Sequence, residues 1–229
     1  MNPILILTHD NLELTKRAVC SAQHQDVPTT IFVIDNGSTD GTCESLQTQE
    51  FNWWFRDTNE GVSKGWNLGF RWILKDRDCQ HLLCCGNDVW LAPWTYSSLL
   101  KCEVPFVTAV AVGSMEQIPE FPDILPLTPN PDFSCFLTRR EAWEKLGPFD
   151  EEMALYCQDC DWHIKGHRMG LPMWKASIPY FHTPSSTVRN ARPEEREVLQ
   201  SQARRDREAF QTRYGCLPGT KDYEAIFKT

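Results

Sequence analysis

No apolar run in this sequence approaches the roughly 18 residues that a membrane-spanning helix requires, which excludes a helical membrane anchor within it. The opening M-N-P-I-L-I-L-T has no basic stretch ahead of its apolar residues and runs straight into a strand-like segment. That excludes a signal peptide and predicts a mature chain that starts at Met1. Positive charge is in deficit: 23 Lys and Arg stand against 31 Asp and Glu, a net charge of -8. A protein that grips nucleic acid through phosphates is usually basic, so that mode is disfavoured, although a local basic patch is not. There is no internal repeat, no low-complexity tract and no second C-x-x-C. The ten cysteines therefore do not form a paired zinc module, and without an export signal, with Cys84 and Cys85 adjacent in an apolar strand, they are expected as reduced thiols. The expected location is cytoplasmic, with peripheral membrane contact left open.

What is present is an alternation of branched apolar runs with segments of helical period, the pattern of a mostly parallel sheet covered by helices. The 229 residues suffice for one α/β domain. Its character changes after Trp90, which divides it into parts over about residues 1–91, 92–190 and 191–229. Strands are predicted near Pro3–Thr8, Thr30–Asp35, Trp53–Asp57 and His81–Gly86. A first helix starts after Asp10 or Asn11, with Glu13 completing a capping box on Asp10, and buries Leu12, Val19 and Ala22. Over Gly61–Leu74, Val62, Trp66, Phe70 and Ile73 form the stripe that faces the sheet, and Gly61, Gly65 and Gly69 line up beside it. Each internal glycine costs a helix about 1 kcal/mol, so either close packing on the sheet or a ligand explains the row. The proline-rich stretch from Ile118 to Pro131 reads as a surface loop. Beyond it come a strand near Phe133–Thr138, helices near Arg140–Leu146 and Cys160–Met169, a strand near Met173–Phe181 and a long helix from about Pro193 to Arg213.

In open α/β sheets ligands bind beyond the carboxyl ends of the strands, so acids at those ends are the first candidates. Asp35 ends I-F-V-I-D and could accept hydrogen bonds from a base or ribose, while Asp-Asn-Gly is also ordinary turn chemistry. Asp88 follows an apolar strand, and one carboxylate plus substrate phosphates suffices for Mg²⁺ or Mn²⁺. Asp159 and Asp161 lie at a helix start, where acids cap the helix or, within reach of a hydroxyl, act as a general base. Cys157, Cys160, His163 and His167 invite a zinc reading, but their spacing is tighter than in zinc modules. His182 ends an alternating strand, as a packed residue or a ligand.

Together and in this order these segments resemble the inverting glycosyltransferases of family 2, with the GT-A fold. The likeness spans nearly the whole chain, and V-I-D-N-G-S-T-D-G-T over residues 33–42 is its most specific block. The resemblance implies donor-nucleotide contacts from Thr8 and Asp10 in T-H-D-N, and from Asp35 and Asn36. It extends them to Asn59, Gly61, Lys64 and Asn67 in N-E-G-V-S-K-G-W-N-L-G, and to Asn87. Gly86-Asn-Asp88 stands where the family has D-x-D, with glycine in place of the first acid, and implies a divalent metal on Asp88 aided by His182 with Ser185 and Ser186. Gly147-Pro-Phe-Asp150 and Gln158-Asp159-Cys-Asp161 match its G-x-F-D and E-D-x-D blocks, with Gln158 in place of Glu. Asp159 is then the expected catalytic base, and Asp161 and Trp90 take acceptor or orienting roles.

The implied partners are a nucleotide diphosphate sugar, a UDP-sugar ahead of others, and a hydroxyl of a glycan or glycoconjugate. Arg189, Arg192, Arg196, Arg204, Arg205, Arg207 and Arg213 could hold a phosphate-bearing acceptor or form a solvated face. The small size leaves the acceptor side to be completed by a partner or an oligomer. The alternatives are a non-catalytic sugar-nucleotide-binding module, a transferase acting on a modified nucleic-acid base, and a sugar nucleotidyltransferase. The last lacks its G-x-G-T-R-rich opening here.

Overall fold

A computed structural model describes residues 1–114, 124–182 and 193–228. The first half alternates β1 (Pro3–Thr8), α1 (Leu12–Gln23), β2 (Thr30–Asp35), α2 (Thr42–Gln47), β3 (Asn52–Phe55), α3 (Val62–Ile73) and β4 (His81–Gly86). The second half adds β5 (Val89–Leu91), α4 (Thr95–Leu100), β6 (Phe106–Val112), β7 (Ile124–Pro126), β8 (Cys135–Arg139), α5 (Arg140–Leu146), α6 (Gln158–Arg168) and β9 (Trp174–His182). Two further helices, α7 (Pro193–Tyr214) and α8 (Lys221–Ala225), follow.

The nine strands of the described residues form one sheet in the order β3-β2-β1-β4-β8-β6-β9-β5, with β7 on β9. The first four strands pair in parallel, and antiparallel pairing enters with β8. Register sets the site: Thr8 pairs with Asp35 and Leu7 with Gly86, so the carboxyl ends of β1, β2 and β4 emerge side by side. Alternation along β1 sends Ile4 and Ile6 into one core with α1, and Leu5 and Leu7 into the opposite core with Trp66, Phe70 and Ile73 of α3.

The glycine row serves packing. A Cβ on Gly65 would overlap the Leu7 side chain and one on Gly69 the Leu5 side chain, so the helix lies directly on β1 with no ligand between them. Gly69→Val is expected to destabilise the fold by about 1–3 kcal/mol through overpacking, read from chemical unfolding.

Four local expectations change. The helix α1 has no capping box: its N-cap residue Asn11 makes no side-chain cap hydrogen bond, and Asp40, from the loop after β2, accepts the Leu12 N–H at 3.0 Å. Leu12 is only half-buried, and Thr15, Ala18, Val19 and Ala22 make the buried face. Part of the proline-rich stretch is strand, because Ile124–Pro126 pairs with β9, while residues 118–123 lie outside the described residues. The helix α6 starts earlier than expected, at Gln158, behind a left-handed Cys157 at φ 67°.

Candidate active site

The loops after β1 and β2 are laced together. Asp10 and Asn11 both adopt left-handed backbone, with φ of 53° and 62°. This turn lets the Asp10 N–H donate to Ser38 Oγ at 2.7 Å while Asp10 Oδ1 accepts the Thr39 N–H at 2.6 Å. Asn87 braces the same turn from β4: its Nδ2 donates to Thr8 Oγ1 at 3.0 Å, Asp10 O at 2.8 Å and Thr15 Oγ1 at 3.1 Å. Asn36 Nδ2 donates to Asn59 Oδ1 at 2.8 Å and to the Gly61 carbonyl at 3.1 Å, joining the β2 loop to the start of α3.

A cleft of about 230 Å³ opens above these strand ends, walled by Thr8, Asn36, Asn59, Asn87, Asp88, Gln158, Asp159 and His182. Asp35, at the end of β2, is almost fully buried and is not among the residues that line the cleft. Its Oδ1 accepts the Ser38 N–H at 2.9 Å, while Oδ2 has no partner among the described residues. Burial raises its pKa against the lowering effect of Ser38, which leaves a carboxylate oxygen that gains by finding a donor.

Asp159 stands on the first turn of α6. Desolvation in the cleft, reinforced by the negative charge of Asp132, pushes its pKa up to about 6, although the Cys160 N–H donates to its Oδ1 at 2.8 Å. On the β4 and β9 side, His182 Nε2 lies 3.2 Å from Asp88 Oδ2, a hydrogen bond that raises the histidine pKa against desolvation. Asp88 and His182 are one oxygen and one nitrogen donor on the same wall. Among the described residues no cluster of three or more His, Cys, Asp or Glu forms a complete metal cage. The pair suits a divalent ion that takes its other ligands from a bound diphosphate, as Mg²⁺ and Mn²⁺ do, and the imidazole favours Mn²⁺ of the two.

A model of glycosyl transferase family 2 matches residues 4–164, well over half of the sequence. The chain belongs to that family. The fold of this transferase is the GT-A α/β fold, and solved structures share it. Residues 1–349 of S. aureus TarS superpose with a TM-score of 0.62 at 16% identity, over 100% of this chain and 71% of that one. The mannosyltransferase PcManGT from Pyrobaculum calidifontis, solved with GDP-Man and Mn²⁺, gives 0.63 at 15%, over 99% and 67%. Against the longer S. aureus TarS chain the match takes in 81% of the transferase and only 37% of TarS, at a TM-score of 0.60 and 17% identity. Curated proteins give no match.

Several expected site residues of the transferase stand elsewhere. Asn67 is fully buried and clasps the segment before α6: its Nδ2 donates to Phe149 O at 2.9 Å and Glu151 Oε1 at 3.0 Å, and its Oδ1 accepts the Phe149 N–H at 2.9 Å. Lys64 lies 3.7 Å from Glu60 in a separate groove beside α7. Gly61 abuts Ala154, where a Cβ would come within 2.6 Å of the carbonyl oxygen. Trp90 stacks on Phe181 with ring centres 5.5 Å apart and is not a wall of the cleft.

Asp161 neither caps its helix nor lines the cleft. Fully buried, it accepts from Tyr214 OH at 2.6 Å and Arg213 Nη1 at 3.2 Å and forms an ion pair with Lys165 Nζ at 2.8 Å, because its turn of α6 faces α7. Arg213 also pairs with Asp150 and Glu152, so it is committed to that anchor, while Arg204, Arg205 and Arg207 are exposed. Ser185, Ser186, Arg189 and Arg192 lie outside the described residues. His163 and His167 pack against Phe227, not against a metal-ligand set.

Sequence reasoning missed Asp132, whose carboxylate accepts from Tyr180 OH at 2.9 Å and Ser134 N–H at 2.8 Å beside Asp159. Its only local signal is the D-x-S turn pattern ahead of a strand. His9 also lines the cleft, with Nδ1 buried and unpartnered among the described residues.

Proposed function

We propose that the chain is an inverting glycosyltransferase that moves a sugar from a nucleotide diphosphate to a hydroxyl of a glycan or glycoconjugate, with Asp159 as general base. The observation that carries this reading is the shared cleft: a carboxylate with its pKa near 6 faces the Asp88–His182 pair across walls built from the β1, β2 and β4 ends. Proton acceptors work best with a pKa close to the working pH, and this one lies there.

Asn36 and Asn59 face the donor nucleotide from the cleft wall, and Asp35 beside them holds the loop after β2 through the Ser38 N–H. Asp159 takes the proton of the acceptor hydroxyl as its oxygen bonds to the anomeric carbon, the bond from that carbon to the β-phosphate oxygen breaks, and the nucleoside diphosphate leaves. Attack opposite the leaving group inverts the anomeric configuration. Asp88, Asp132 and Asp159 give the cleft a negative lining that repels a diphosphate, so a cation on Asp88 and His182 fits this donor. When bound, the cation neutralises charge on the departing diphosphate. The Mn²⁺ and GDP-Man bound by PcManGT, and the UDP bound by TarS, support a metal-assisted sugar nucleotide here.

A thermal-shift panel of UDP, GDP, ADP and dTDP with and without Mn²⁺ tests the reading. One nucleotide at about 100 times its Kd is expected to add about 2.7 kcal/mol of stability with Mn²⁺ present, and Asp88→Ala to lose the metal-dependent part. If none of the four shifts the melting temperature, the donor-site assignment is wrong. If one does while no sugar nucleotide turns over, the chain is a binding module.

A further inference from the structure

The long helix α7 lies outside the residues matched by the family model, yet one stripe of it, Asp206, Phe210, Arg213 and Tyr214, faces the segment that delivers Asp159. Asp206 is fully buried, and both of its oxygens are used on backbone N–H groups. Oδ1 accepts from Ala154 at 3.1 Å, and Oδ2 from Leu155 at 2.8 Å and Tyr156 at 2.9 Å. Gln202, one turn earlier, donates to Oδ1 at 2.6 Å.

These three amides have no regular secondary structure of their own to satisfy them, because they lie between the Met153 turn and α6. A buried carboxylate from a distant helix takes that place. Both ends of the loop it holds belong to the site. On one side the Ala154 carbonyl accepts the Val62 N–H at 2.6 Å and the Ser63 N–H at 3.2 Å, tying the loop to the start of α3. On the other, Leu155 lines the cleft beside Gln158 and Asp159, and the chain enters α6 through the left-handed Cys157.

We propose that Asp206 is a positioning residue for the transfer reaction: its carboxylate fixes the loop 154–156 and thereby holds Asp159 against the desolvated wall of the cleft. The helix α7 is then part of the catalytic apparatus. This rests on the assignment of Asp159 as the base.

The test compares full-length Asp206→Asn with wild type and with Arg204→Ala, a change on the exposed side of the same helix. An asparagine keeps one acceptor oxygen but turns an NH₂ toward amide donors. The amides of residues 154–156 are expected to exchange hydrogen at least tenfold faster in Asp206→Asn, while α1 and α3 keep their protection. The Asp159 carboxyl, followed by carbon NMR, is expected to titrate below its wild-type midpoint as water reaches it. With any sugar nucleotide that wild type turns over, kcat is expected to fall at least tenfold while KM for the donor stays within twofold. Arg204→Ala is expected to move none of these. Unchanged exchange and an unchanged Asp159 midpoint overturn the proposal, as does a loss of protection spread evenly over the whole chain. If wild type turns over no sugar nucleotide while the amide and carboxyl readouts still move, the base assignment fails and the clamp stands.

Discussion

Asp159→Asn is expected to lower the transfer rate by about 10²–10⁴-fold, the usual range for losing a general base, and at the same time to make the protein more stable at pH 7. The two effects share one cause. In the folded chain the Asp159 pKa is raised from 3.8 to about 6 by desolvation, so at neutral pH the protein holds a charge in a place that disfavours it. A difference of about two pH units corresponds to about 3 kcal/mol. The sign follows from linkage: a group with a raised folded-state pKa contributes stability below its unfolded pKa, and that contribution is lost as the pH rises through the folded value. The stability gap between Asp159→Asn and wild type should therefore be largest above pH 6 and close as the pH falls from about 6 to about 4. For a chain of this size 1 kcal/mol moves the melting temperature by about 2–4 °C, so the gap is measurable by calorimetry. In wild type kcat/KM should rise with pH through an apparent pKa of about 6. A variant no more stable than wild type at pH 7 would show that desolvation does not raise the Asp159 pKa, and one that keeps its activity would remove Asp159 from the role of base.

The strand-end edge of the cleft was legible because it is built from local chemistry. A buried strand ending in Asp35, followed by Asn36-Gly37, states its own geometry, and parallel register brings Thr8, Asp35 and Gly86 to one edge. The glycine spacing in α3 was legible as close approach but not as to what approached, since Leu5 and Leu7 of β1 lie far away in sequence. Asn67 illustrates the limit. Its position in the N-x-G block pointed to a nucleotide, whereas its two polar atoms are satisfied by Phe149 and Glu151, more than eighty residues on. A long-range hydrogen bond leaves no periodic trace. The same holds for the cap of α1, which comes from Asp40 across a loop, and for Asp206, whose acceptor role depends on where α7 docks.

Asp161 carries the sharpest difference between the two levels of description. Placed two residues after Asp159 in the Asp159-Cys-Asp161 block, it suggests an orienting group, yet α6 turns it about 200° away from Asp159, at 100° per residue, onto α7. There it accepts from Tyr214 and Arg213 and pairs with the Lys165 ammonium. Removing one member of a buried ionic network costs 3–5 kcal/mol when its partners stay buried. Here Lys165 and Arg213 side chains are 31% and 34% exposed and regain water, which lowers the cost, while Tyr214 loses its acceptor in a half-buried position. Asp161→Ala is therefore expected to destabilise the chain by about 2–3 kcal/mol. A double-mutant cycle with Tyr214→Phe should show coupling of about 1 kcal/mol or more, because the two groups share one hydrogen bond. At a temperature where the variant remains folded, its pH-rate profile should keep the wild-type midpoint, since the charge it loses lies outside the cleft. A loss of activity without loss of stability would return Asp161 to the acceptor site. The opposite result identifies the Asp161–Tyr214 contact as the joint that keeps the base-bearing helix docked on α7.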